Sequence, residues 1–125
     1  MILVDSDILV WILMGKREIK ERFKKTAAET DGTIYLTPIQ IAEIYGGIRE
    51  NERTDTEIFL NSFMILNIDQ GIGKLAGDFI NRYRKSHHLT LADAMIAATA
   101  KIHGLTLWTL NKKHYPMLED RDFYA

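Results

Sequence analysis

Four short apolar runs, each separated from the next by segments of helical pattern, set the strongest limit on how this chain folds. Ile2-Leu3-Val4, Ile34-Tyr35-Leu36, Met64-Ile65-Leu66 with Ile68, and residues 105–110 are too short for buried helices and have the continuous hydrophobicity of strands covered on both faces. Strands alternating with helices imply crossover connections, hence an α/β fold with a parallel sheet layered between helices. The 125 residues are expected to form one domain, 1–125.

The connecting segments carry helix signals. Asp5 or Ser6 is placed to cap an apolar helix over residues 8–14 that Gly15 closes, and a charged helix over residues 16–29 follows. Thr37-Pro38 starts the next, with Gln40 completing a capping box. A helix is expected from about Thr54, and another after Asp69, where Ile72, Leu75, Ala76, Phe79, Ile80 and Tyr83 keep helical spacing. Thr90 opens the last, which runs to His103 and stops at Gly104. The tail beyond Pro116 has no readable pattern.

Composition excludes several classes of function. The net charge of -1 gives no global field for polyanions, so any phosphate binding must be local. Absence of cysteine removes disulfides, thiolate metal sites and a cysteine nucleophile, and agrees with a reducing, cytoplasmic setting. No apolar run approaches the ~20 residues of a membrane span. Residues 8–14 follow two aspartates rather than a basic segment, unlike a secretory signal.

Three carboxylates stand in unusual surroundings. Asp5 ends the first strand, where ligands bind in open α/β sheets. Glu43 lies nearly two turns into the helix after strand two, among Ile41, Ala42, Ile44 and Tyr45, and Asp93 interrupts the otherwise apolar Leu91-Ala92-Asp93-Ala94-Met95-Ile96-Ala97-Ala98. Each has an ordinary reading: Asp5 as a helix cap, Glu43 in a salt bridge, Asp93 in a capping box with Thr90. Jointly they describe a partly buried acidic site whose repulsion a cation would relieve. Oxygen ligands alone favour Mg²⁺ or Mn²⁺, and phosphodiester hydrolysis by metal-activated water is the matching chemistry. Ser6 and Asp7 are candidate supports. The pair His87-His88 reads as a solvated connection with no metal, and the basic run Lys16 to Lys25 as a solvated helix face with possible phosphate contacts.

The segments Ile2-Leu3-Val4-Asp5-Ser6-Asp7, Ile39-Gln40-Ile41-Ala42-Glu43-Ile44, residues 91–98 and Leu110-Asn111-Lys112-Lys113-His114-Tyr115 together resemble the PIN domain, and within it the VapC-type toxins of toxin-antitoxin pairs. The resemblance implies a three-layer fold with a central parallel sheet of four or five strands and Mg²⁺-dependent endoribonuclease activity on RNA. It further implies a cognate antitoxin and a homodimer, and metal binding by Asp5, Glu43 and Asp93. The fourth segment departs from the family, because Asn111 and His114 occupy positions where many members carry a further acidic residue. Asn111 is then expected to orient a metal-bound water. Two rival functions remain: a PIN-like domain that binds RNA or protein without cutting, and a haloacid-dehalogenase-like phosphatase using Asp5 and Asp7, which Leu9 and the missing late aspartate pair oppose.

Overall fold

The structure, a computed structural model, describes residues 1–124. Strand β1 (Ile2–Val4) runs into helix α1 (Ser6–Leu13) and then helix α2 (Arg17–Glu29). Strand β2 (Ile34–Leu36) leads to α3 (Pro38–Gly47) and α4 (Arg53–Leu60). After β3 (Met64–Ile65) come α5 (Gln70–His87), α6 (Leu91–His103) and β4 (Thr106–Trp108). The sheet order is β3-β2-β1-β4 and all pairings are parallel, as the alternating pattern requires.

Alternation along the strands divides the core into two layers. Ile2, Val4, Ile34, Leu36 and Trp108 face Ile8, Leu9, Ile12, Ile19, Ile44 and Leu60 from the first four helices. Leu3 and Leu107 face the opposite side, against Ile96, Ala97 and Ala100 of α6. Helix α6 is buried on two sides, since its Ala94 and Ala98 pack with Ile72 and Ala76 of α5. Small side chains at these positions let α6 lie close to both the sheet and α5.

Three boundaries differ from the sequence reading. Strand β4 stops at Trp108 rather than running to residue 110, because Thr109 and Leu110 turn away to bond the Asp5 and Asp7 carboxylates. Strand β3 is short and exposed, having only β2 as a neighbour. Helix α4 begins at Arg53, behind a 3-10 turn over Glu50–Glu52. In the tail, Phe123 bridges Leu107 in parallel and the Tyr124 N–H donates to Leu107 O at 2.9 Å, so the chain end borders β4.

This order creates a reversal point. From β1 the chain steps through β2 to β3, then crosses to the other side of β1 for β4. The crevice between the carboxyl ends of β1 and β4 is where such sheets bind ligands. Gln40 fixes one wall of it. Its side chain is fully buried; Oε1 accepts from the Thr37 N–H at 3.0 Å, and Nε2 donates to Val4 O at 3.0 Å. It thus pairs a β1 carbonyl just where β2 has left the sheet for α3.

Gln40→Leu keeps a similar volume but leaves Val4 O and the Thr37 N–H without their partner. It is expected to cost about 2 kcal/mol in urea unfolding, in the range for unsatisfied buried polar groups. Stability equal to wild type would show that Gln40 does not hold β1 to α3.

Candidate active site

The chain reversal brings Asp5 to the centre of the crevice. Its carboxylate is buried at 7% exposure, yet its bonding partners are all uncharged. Oδ1 accepts from the Ser6 N–H at 2.8 Å, which makes Asp5 the cap of α1. Oδ2 accepts from the Thr109 hydroxyl at 2.8 Å and from the Tyr115 hydroxyl at 2.7 Å. Capping and site membership therefore coincide in one side chain, each using a different oxygen.

Asp7, two residues further and in the first turn of α1, acts as a clamp. Its Oδ1 accepts from the Ile8 N–H at 2.7 Å, while Oδ2 accepts from the Leu110 N–H at 3.0 Å and from Asn111 Nδ2 at 3.1 Å. The single proton of Thr109 lies between Asp5 Oδ2 and Asp7 Oδ2, the latter at 3.2 Å. These bonds span more than a hundred residues of chain and close the crevice floor. Asp7 thus ties α1 through Oδ1 to the loop after β4 through Oδ2.

Asp93 projects from the first turn of α6. Only one half of the expected capping box forms: the Asp93 N–H donates to Thr90 Oγ1 at 3.2 Å. The carboxylate points instead into the crevice, where Oδ1 lies 3.3 Å from the Tyr115 hydroxyl and Oδ2 lies 3.8 Å from His114 Nδ1. Glu43 completes the group from α3, but it sits at the rim and is exposed, so the apolar neighbours in its sequence misjudged its burial. The salt bridge that would have explained Glu43 as ordinary surface charge does not form among the described residues.

Electrostatics registers this crowding. Burial raises the Asp93 carboxyl above its ordinary range and Asp5 raises it further, with His114 pulling the other way. Burial likewise raises Asp7, again reinforced by Asp5. Glu43 is raised by burial and by Asp5, Asp93 and Asp7, against an opposing contribution from the Ser6 hydroxyl. Tyr115 is driven far above the usual phenol range, first by burial and then by Asp5 and Asp93, so its hydroxyl stays protonated and donates. Sequence reading quoted Tyr115 within the fourth segment but gave it no role; its partner Asp5 is 110 residues away and no local pattern reports that pairing.

The donor set suits a hard divalent cation, being oxygen only and unneutralised by lysine or arginine. Among the described residues, no three acidic or histidine side chains are closed to the spacing of a shared ion.

Comparison with known proteins agrees with this architecture. The PIN domain family model matches residues 2–117. Ribonuclease VapC10 of Mycobacterium tuberculosis is 41% identical over 120 residues, covering 95% of this chain and 89% of that protein. Ribonuclease VapC1 of Methanocaldococcus jannaschii is 33% identical over 122 residues, covering 95% of this chain and 82% of its own. A solved toxin-antitoxin complex from Klebsiella pneumoniae contains a chain that superposes with a TM-score of 0.80 at 27% identity, over 100% of this chain and 97% of that one. With this fold, and with a match spanning almost its whole length, the chain belongs to the PIN domain family.

Proposed function

We propose that this protein is a divalent-metal-dependent endoribonuclease and the toxin of a toxin-antitoxin pair, with Asp5, Glu43 and Asp93 as metal ligands. The observation that carries the reading is the convergence of these carboxylates in the β1–β4 crevice without a lysine or arginine paired to any of them. The ribonuclease names of the relatives and the toxin-antitoxin complex of the Klebsiella neighbour support the same reading.

Bound there, Mg²⁺ or Mn²⁺ would supply an activated water and polarise a phosphate oxygen. The chain's own residues prepare for it. Ser6, Thr109 and Tyr115 hold Asp5 in one orientation. Tyr115 also spans to Asp93, so one hydroxyl aligns ligands from β1 and α6. Glu43, at the rim, remains the most adaptable member. Asp7 and the Asn111 amide it holds fix the loop after β4.

The antitoxin surface we assign to the groove between α1 and α3, about 430 Å³, lined by Val10, Leu13, Met14, Ile44 and Ile48 and continuing to Glu43. Val10, Leu13 and Met14 within it and Trp11 on the same helix are all exposed, an apolar patch of the kind that marks an interaction surface. A partner seated here reaches the acidic crevice at Glu43. The protein's own pairing as a homodimer is part of the proposal.

Purified protein freed of antitoxin is expected to cleave single-stranded RNA when Mg²⁺ or Mn²⁺ is present and to lose cleavage in EDTA. Asp5→Asn and Asp93→Asn should each lower the rate at least about a hundredfold; equal cleavage by wild type and both variants would exclude the acidic site. Tyr115→Phe should weaken Mn²⁺ binding about tenfold or more by calorimetry, with most of the cleavage rate recovered at saturating metal. Unchanged affinity would deny Tyr115 its positioning role.

The raised carboxyls also fix the sign of a pH effect. Folded Asp7, Glu43 and Asp93 hold protons more tightly than the unfolded chain, so their contribution favours folding at low pH. That contribution is lost as pH rises from about 4 through their raised values. In metal-free buffer Asp93→Asn should therefore be more stable than wild type at neutral pH, with the advantage vanishing below about pH 4. A variant less stable than wild type at neutral pH would contradict the repulsion.

A further inference from the structure

Beside the acidic crevice, on the Asp93 side, lies a groove of about 190 Å³ lined by His87, His88, Leu89, Thr90, Asp93 and His114. Three of the chain's four histidines meet in it, although they come from two separate elements. His87 and His88 end α5, and His114 ends a 3-10 turn over Lys112–His114. The pair is exposed, as its solvated reading in sequence expects, and it also forms one wall of a groove opening onto Asp93.

Two of the rings have neighbours that orient them. His87 packs edge-on against Tyr83, with centroids 5.6 Å apart, and its Nδ1 lies 2.7 Å from the Ser86 hydroxyl, so Nε2 is directed elsewhere. His114 turns Nδ1 towards Asp93 at 3.8 Å, which leaves Nε2 on the far edge of its ring. His88 takes the left-handed backbone conformation, φ 51°, as the C-cap of α5. Glycine is the usual residue there, since it has no Cβ to clash, and histidine instead places a side chain at the groove. Thr90 Oγ1 accepts from the Asp93 N–H, and its hydroxyl also bonds the Asp93 carboxylate, so Thr90 holds Asp93 at the groove's edge.

These groups meet a need the acidic crevice creates. A cluster of carboxylates repels the phosphates on either side of the one it is to cut, and the chain's net charge of -1 supplies no general attraction. Imidazole N–H donors beside the cluster offer hydrogen bonds to a phosphate oxygen, and only His114 among them faces a carboxylate, that of Asp93. Basic side chains stand on the same two elements, Arg84 and Lys85 in the last turn of α5 and Lys112 and Lys113 before His114. The groove itself is lined by imidazole and hydroxyl.

Resting on the nuclease reading above, we infer that this groove is a substrate subsite that holds the RNA phosphodiester next to the scissile one through His87, His88 and His114. It fixes the strand's direction across the crevice. His103 takes no part, lying about 15 Å along α6 from Asp93 at the helical rise per residue.

The test follows histidine ring-proton resonances at fixed neutral pH in EDTA while a mixed-sequence single-stranded oligoribonucleotide is added, so binding is read without cleavage. Saturable shifts are expected at His87, His88 and His114 and not at His103, with inorganic phosphate at millimolar concentration moving the same three signals. His87→Ala combined with His88→Ala should weaken oligoribonucleotide binding by about tenfold, uniformly across sequences, as loss of phosphate contacts does. RNA that binds without moving these signals, or equal affinity in the double variant, overturns the subsite while leaving the nuclease reading intact. RNA that is neither bound in this assay nor cleaved with Mn²⁺ overturns both.

Discussion

The buried carboxylate of Asp5, satisfied only by neutral donors, is the interaction on which the rest of this structure depends. Its Oδ1 starts α1 through the Ser6 N–H, and its Oδ2 draws in Thr109 from the end of β4 and Tyr115 from beyond it. Those bonds join the first residues of the chain to the last quarter across the point where the sheet order reverses. The same contacts shorten β4 and shape the crevice. A charge so placed is costly unless something answers it, and protonated hydroxyls answer it only in part.

Asp7, Glu43 and Asp93 make the position worse electrostatically, each raising or being raised by its neighbours. A sequence selected only for stability would remove one of them. Their placement together, with Tyr115 and Thr109 bonded to Asp5, Asp7 and Asp93, is the physical basis of the proposed cation site. Tyr115 is well suited to the task, because surrounding negative charge keeps its proton in place while burial fixes its ring.

Much of this was legible in the amino-acid sequence, and the exceptions have physical reasons. The apolar runs at residues 2–4 and 34–36 located two central strands, since both are buried by layers above and below. Asp93 was conspicuous because every neighbour on its helix is apolar or small. Glu43 was harder: its neighbours suggested burial, yet the side of α3 that carries it is exposed at the crevice rim. Tyr115 and Thr109 escaped as site members because their partner is more than a hundred residues distant, and hydrogen bonds of that range leave no periodic trace. The segment after Pro116 was unreadable for a related reason. It is held by the Leu107 bridge and by Tyr124 against Trp108, contacts set by tertiary packing rather than by local propensity.

The account turns on one cation shared by carboxylates from β1, α3 and α6. Anomalous diffraction from crystals grown with saturating Mn²⁺ would locate it directly. The account predicts a peak in the β1–β4 crevice with oxygens of Asp5 and Asp93 within about 2.0–2.5 Å and Glu43 turned inward, directly or through water. A fully occupied Mn²⁺ bound elsewhere, with the crevice carboxylates still apart and held by Thr109 and Tyr115 alone, would contradict it.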